Sequence, residues 1–215
     1  MQSPVPSHPN DPPRPGSSRI PFNRLQPVGR ALEYVAQAAA SQSLAGDGPF
    51  SRRCHDLIRR ELGVPAVYLT TSCTHALEMA ALLLDLQPGD EVIVPAFTFP
   101  SSAGAFVLRG AVPVFCDIRN DTLNLDETLL PALVTPRTRA IVPVHYAGIG
   151  CDMDAIGRVA ARHGLAVIED NAHGLFGRYR GRWLGTLGTM ACLSFHESKN
   201  ITCGEGGAVV TSDPA

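Results

Sequence analysis

The sequence predicts an α/β domain, a mainly parallel sheet with helices on both faces. Three observations carry that expectation. Short apolar runs rich in β-branched residues recur along the chain. Between them lie segments whose apolar residues repeat at helical spacing. Turn-forming stretches such as Pro88-Gly89-Asp90 separate the two kinds. Strands that alternate with helices pair in parallel and are buried on both sides.

Residues 28–41 and 50–62 read as helices joined by a turn at 45–49, where two glycines and a proline cluster. Ala66–Thr70 reads as a strand. Thr71 or Ser72 then N-caps a helix in which Ala76, Met79, Ala80 and Leu83 share one face. Residues 91–94 form a strand, 101–109 a helix, and Val112–Cys116 another strand. Helices at 125–133 and 152–163 flank a strand at 140–144. Asp152 and Asp154 suit the cap and first turn of the second helix. Strands at 166–168, Met190–Ser194 and 208–211 complete the set. There is no internal repeat.

Residues 1–19 carry Pro4, Pro6, Pro9, Pro12, Pro13 and Pro15 among polar neighbours. Such a segment cannot bury a core and reads as a disordered tail, leaving 20–215 as the folded domain. An α/β strand is ordinarily covered by a following helix, and residues 208–211 have none within the 215 residues. The expectation is a longer protein.

A formal charge of −2 gives no basic field for nucleic acid. No apolar stretch is long enough to span a bilayer, and the N-terminal region lacks a secretory h-region. The six cysteines form no C-x-x-C pair and no zinc spacing. They read as reduced thiols of a cytoplasmic protein, several of them small core residues. No metal site is expected.

The chain holds one lysine, Lys199, among 18 basic residues; the others are arginines. Arginine supplies the surface charge, so a single retained lysine suggests a task that needs an amine. A solvated surface lysine is the plainer alternative. Asp170 ends an apolar strand, where open α/β sheets place ligand contacts. A cap or turn role is equally open to it. Its neighbour Glu169 points the opposite way if strand geometry persists. An amine and a carboxylate facing one crevice suit pyridoxal 5′-phosphate (PLP). The lysine holds the aldehyde as a Schiff base, and the acid keeps the pyridine nitrogen protonated.

Other segments could join that crevice. Residues 70–75 link a strand to a helix, where free N–H groups and the helix dipole bind phosphate; helix capping alone also explains them. Phe97 and Phe99 follow a strand, and one could stack on a heteroaromatic ring while the other packs in the core. The glycines at 204, 206 and 207 permit positive φ or close backbone approach. His145, Tyr146 and His173 follow strands and could face the same space, although a lone histidine is more often structural.

The runs Thr71-Ser72-Cys73-Thr74, Pro95-Ala96-Phe97-Thr98-Phe99, Pro143-Val144-His145-Tyr146, Glu169-Asp170-Asn171-Ala172-His173 and Ser194-Phe195-His196-Glu197-Ser198-Lys199-Asn200 resemble the DegT/DnrJ/EryC1/StrS sugar aminotransferases. The resemblance runs collinearly over residues 20–215. Segments such as Gly46-Asp47-Gly48 and Leu77-Glu78-Met79 look like the branch that makes dTDP-4-amino-4,6-dideoxygalactose. It implies the large domain of a type I, aspartate aminotransferase-like PLP transferase, without its C-terminal small domain. It implies Lys199 as the Schiff-base lysine and Asp170 at the pyridine nitrogen. His173 falls near the ring hydroxyl, and Phe99 rather than Phe97 at the ring face. The backbone amides of Thr74 and His75, with the Ser194 hydroxyl, fall at the phosphate. Asn171 departs from the alanine common after the aspartate. The implied reaction moves an amino group from L-glutamate to the C4 ketone of dTDP-4-dehydro-6-deoxy-D-glucose, in a homodimer when full length. A 3-aminotransferase, another nucleotide keto-sugar, or an inactive fragment are the alternatives.

Overall fold

The computed structural model describes residues 29–212. The tail expected at 1–19 lies outside them. The first elements are helices α1 (Ala31–Ala40) and α2 (Pro49–Leu62), strand β1 (Ala66–Thr70) and helix α3 (Cys73–Leu83). Strand β2 (Glu91–Pro95), helix α4 (Ser101–Val107), strand β3 (Val112–Cys116), the single turn α5 (Leu130–Leu133) and strand β4 (Thr138–Ile141) follow. Then come α6 (Met153–His163), β5 (Ala166–Asn171), the short strands β6 (Arg178–Tyr179) and β7 (Arg182–Trp183), β8 (Met190–Ser194) and β9 (Gly207–Thr211).

Seven strands form one sheet in the order β1-β9-β8-β5-β4-β2-β3. The pairings among β3, β2, β4, β5 and β8 are parallel. β9 runs antiparallel to both β8 and β1. A reversed strand needs no helical crossover, so the 12 residues between β8 and β9 are free to form a loop. That loop carries Lys199.

Successive residues of β2 divide between the two faces. Val92 and Val94 pack with Leu77 and Ala80 of α3 and Phe106 of α4. Ile93 packs with Leu130 of α5 and Ile156 of α6. Along β8, Cys192 joins the α3 side, while Ala191 and Leu193 meet Ile58 and Leu62 of α2. This is period-two alternation in a sheet covered on both faces.

Three expectations need correction. The helix expected at 125–133 is one turn, Leu130–Leu133. Leu125 instead bridges Ile118, and the Asp126 carboxylate accepts the Thr128 N–H, so local side-chain bonding holds the preceding residues out of helix. The strand expected at 140–144 spans Thr138–Ile141, because Pro143 has no N–H for a ladder; Val144 keeps a single bridge to Asp170. The β6–β7 hairpin was not expected. Arg180 and Gly181 both adopt positive φ, the two-residue turn that suits the twist of paired strands.

Candidate active site

A cavity of about 620 Å³ opens beyond the C-terminal ends of β1, β2, β5 and β8. Lys199, Asp170, His173, Ser194, Thr74 and Phe99 all border it. Six of the seven residues singled out by the resemblance therefore share one space. His75 does not line it: its backbone N–H is donated to Ser72 Oγ, and its ring Nδ1 meets Thr71 Oγ1.

The wall from α3 is built by capping. Ser72 is the N-cap, and its side chain accepts the His75 N–H at 3.2 Å. The first turn, with Cys73 and Thr74, faces the cavity. Gly207 of β9 fixes this wall from behind. A side chain there would collide with the backbone of Ser72 and Cys73. Gly204 takes the other option that glycine permits, with φ +93°.

Lys199 sits in the loop after β8, held by a turn in which its N–H is donated to the His196 carbonyl at 3.0 Å. The side chain is half-buried. Its amine has no ion-pair or hydrogen-bond partner among the described residues. The loop is closed by a bridge between His196 and Gly204 and by His196 Nε2 lying 3.3 Å from the Glu205 carboxylate.

Asp170 is 4% exposed and turned toward the cavity. Its Oδ2 accepts the Ser102 hydroxyl at 2.6 Å, and its Oδ1 the Ala172 N–H at 3.2 Å. Glu169 points to the opposite face, as strand alternation predicts. There it is fully buried. Its Oε1 accepts the Leu187 and Gly188 N–H groups, and its Oε2 those of Gly185 and His145 Nε2. Burial alone would push this carboxyl up. The His145 hydrogen bond and the amides of Gly185 and Gly188 outweigh burial and hold it below the ordinary glutamate value.

The histidines separate in the same way. His145 is wholly buried on the Glu169 side and does not reach the cavity. Its Nδ1 accepts the Cys151 N–H, so the ring proton lies on Nε2. His173 does face the cavity. Its Nδ1 accepts the Ala147 N–H at 3.1 Å. Burial and the charge of Lys199 lower its pKa against the opposing pull of Asp170, so the ring is neutral at pH 7 with its proton on Nε2.

Neither phenylalanine joins the core. Phe97 is 42% exposed and packs on Tyr146, with ring centroids 4.7 Å apart. Phe99 is 72% exposed at the cavity rim. Asn171 is buried, and its Nδ2 donates to the Leu184 carbonyl at 3.0 Å. Side chains at residues 174 and 185 would strike it, and both positions are glycine. Its surroundings thus make room for the side chain, while its Oδ1 is buried without a hydrogen-bond partner among the described residues.

Sequence reasoning missed Ser102 entirely. It lies 68 residues from Asp170 in the chain, and nothing local marks it. Among the described residues no cluster of histidine, cysteine or acidic side chains could hold a metal, and no helix is long and apolar enough to cross a membrane.

A model of the DegT/DnrJ/EryC1/StrS aminotransferase family matches residues 28–215. Among solved structures, DesV of S. venezuelae, in complex with a ketimine intermediate, is 40% identical with a TM-score of 0.78; the match covers 86% of this chain and 50% of DesV. An aminotransferase from Psychrobacter cryohalolentis is 35% identical with a TM-score of 0.84, over 90% of this chain and 50% of that one. Spr1654 of Streptococcus pneumoniae, provisionally assigned as a sugar aminotransferase and solved in its PLP form, is 30% identical with a TM-score of 0.84, over 91% and 54%. The chain spans about half the length of these proteins.

Proposed function

This chain belongs to the DegT/DnrJ/EryC1/StrS aminotransferase family, and from that premise we propose that it acts as a PLP-dependent aminotransferase of nucleotide-linked sugars. The amino donor is L-glutamate. The acceptor is the C4 ketone of dTDP-4-dehydro-6-deoxy-D-glucose, and the product is dTDP-4-amino-4,6-dideoxy-D-galactose. The working form is a homodimer. One observation carries this reading: the chain's sole lysine and a buried carboxylate border the same cavity.

The residues suit the cofactor by their chemistry. Lys199 brings an amine without a partner among the described residues. Asp170 brings acceptor capacity on the cavity side. The first turn of α3 and the Ser194 hydroxyl supply donors for a phosphate. When bound, the cofactor supplies an aldehyde for the lysine and a ring that accepts electrons.

The protein's part is to hold and to move protons. Asp170 stabilises a positive charge on the ring nitrogen through a charge-assisted hydrogen bond. His173, neutral and protonated on Nε2, donates to the ring hydroxyl. Phe99 covers the ring face. Lys199 Nζ takes the proton from the α-carbon of L-glutamate in the first half-reaction. In the second it delivers a proton to C4 of the sugar.

Mixing the protein with PLP is expected to give a visible absorption band. Borohydride reduction followed by peptide mass spectrometry is expected to find the cofactor on Lys199. Lys199→Ala abolishes both; a band that persists unchanged in that variant would reject the assignment. Incubation with L-glutamate and a panel of keto-sugars, with products resolved at C3 and C4, tests the acceptor.

A further inference from the structure

Ser102 does not line the cavity, yet among the described residues it is the one side chain that hydrogen-bonds Asp170. It is fully buried and lies 2.6 Å from Oδ2. Beside it, Thr98, which borders the cavity, places its Oγ1 2.7 Å from Ser102 Oγ. A carboxylate only accepts, so the serine proton goes to Asp170. The serine oxygen then accepts from threonine. Both hydroxyls are thereby oriented toward the carboxylate, and each bond polarises the next.

The chain of hydroxyls has a second consequence. Thr98 and Ser102 flank Phe99, and the Ser102 N–H is donated to the Phe99 carbonyl at 3.0 Å. One short segment thus carries the exposed aromatic at the rim and grips the acid at the back of the cavity. Among the described residues the Asp170 carboxylate is otherwise tied only to the Ala172 N–H.

We propose that Ser102, backed by Thr98, is a positioning residue that fixes the Asp170 carboxylate against the cofactor's ring nitrogen and sets it in register with Phe99. This rests on the cofactor reading above and adds a residue to it.

The test is PLP affinity, measured by equilibrium dialysis on the full chain, with the melting temperature of the cofactor-free protein as the check on folding. Ser102→Ala is expected to weaken PLP binding roughly tenfold, the scale of one hydrogen bond to a charged group. Ser102→Cys keeps the shape and a weak donor and should fall between alanine and wild type. Thr98→Val removes the hydroxyl that donates to the serine and should weaken binding by a smaller factor, while Thr98→Ser restores it. A purely structural role would lower the melting temperature and leave the affinities of these variants equal to wild type. Equal affinity in a folded Ser102→Ala protein overturns the proposal. Should that variant not fold, equal affinity of Thr98→Val and wild type overturns it instead. Failure of the wild-type protein to bind PLP would be a different result: it would overturn the cofactor reading, and the positioning role with it.

Discussion

Glu169 and Asp170 are adjacent in the chain, carry the same functional group and are both nearly inaccessible, yet they face opposite sides of the sheet. Glu169 accepts four hydrogen bonds, two on each oxygen, and faces the closed side of the sheet. Asp170 accepts two and borders a cavity. Burial therefore does not distinguish the two acids. Saturation does. A carboxylate with every donor supplied by the protein holds a fold together: here it ties the loop at 184–188 and the segment after β4 to β5. A carboxylate with capacity left over can take a ligand.

The strongest way to break the contrast is to remove each acid. Glu169→Ala leaves three backbone N–H groups and an imidazole N–H buried without an acceptor, and is expected to cost about 3–5 kcal/mol of unfolding free energy. Asp170→Asn keeps its shape and should cost only about 1 kcal/mol, while losing most of the PLP affinity. Urea denaturation and PLP titration of both variants check the pair; a reversal of the two patterns would sink the distinction.

Acid sharpens it next. The folded-state pKa of Glu169 is depressed, so its contribution to stability is complete above the ordinary glutamate value of 4.5. It is lost as pH falls through the lower folded value. Wild-type stability should therefore decline with acid in that window. Glu169→Gln should be less stable at neutral pH and show a shallower decline. Unfolding free energies measured from pH 6 downward would show equal slopes if Glu169 were not the responsible group.

The smallest effect concerns the open side. Burial and Lys199 together depress His173. By NMR, His173 should titrate below the ordinary histidine value, and Lys199→Ala should move its midpoint upward. A downward move would mean that the amine does not sense this ring.

Much of this was legible in the sequence because it depends on local rules. β1, β3 and β8 fall where short apolar runs sit in the sequence. The opposite orientations of Glu169 and Asp170 follow from strand periodicity once the strand is known. The Ser72 cap is visible one residue before its helix. What was not legible depends on distant partners or on backbone sign. His145 reads as a crevice residue until Glu169 and Cys151 are seen to use both of its nitrogens. Ser102 acquires meaning only when α4 packs beside the end of β5. The 125–133 segment has helical composition, but the Asp126 side chain and the Leu125 bridge hold its first half in another conformation. The antiparallel direction of β9 has no local sign at all, since parallel and antiparallel buried strands share the same apolar composition.

Finally, Lys199 carries the only ε-amino group in these 215 residues, and it stands half-buried at the cavity without a partner among the described residues. For labelling chemistry this makes the molecule self-addressing. Within these residues an acylating reagent that modifies side-chain amines has one target, and any occupant of the cavity would protect it.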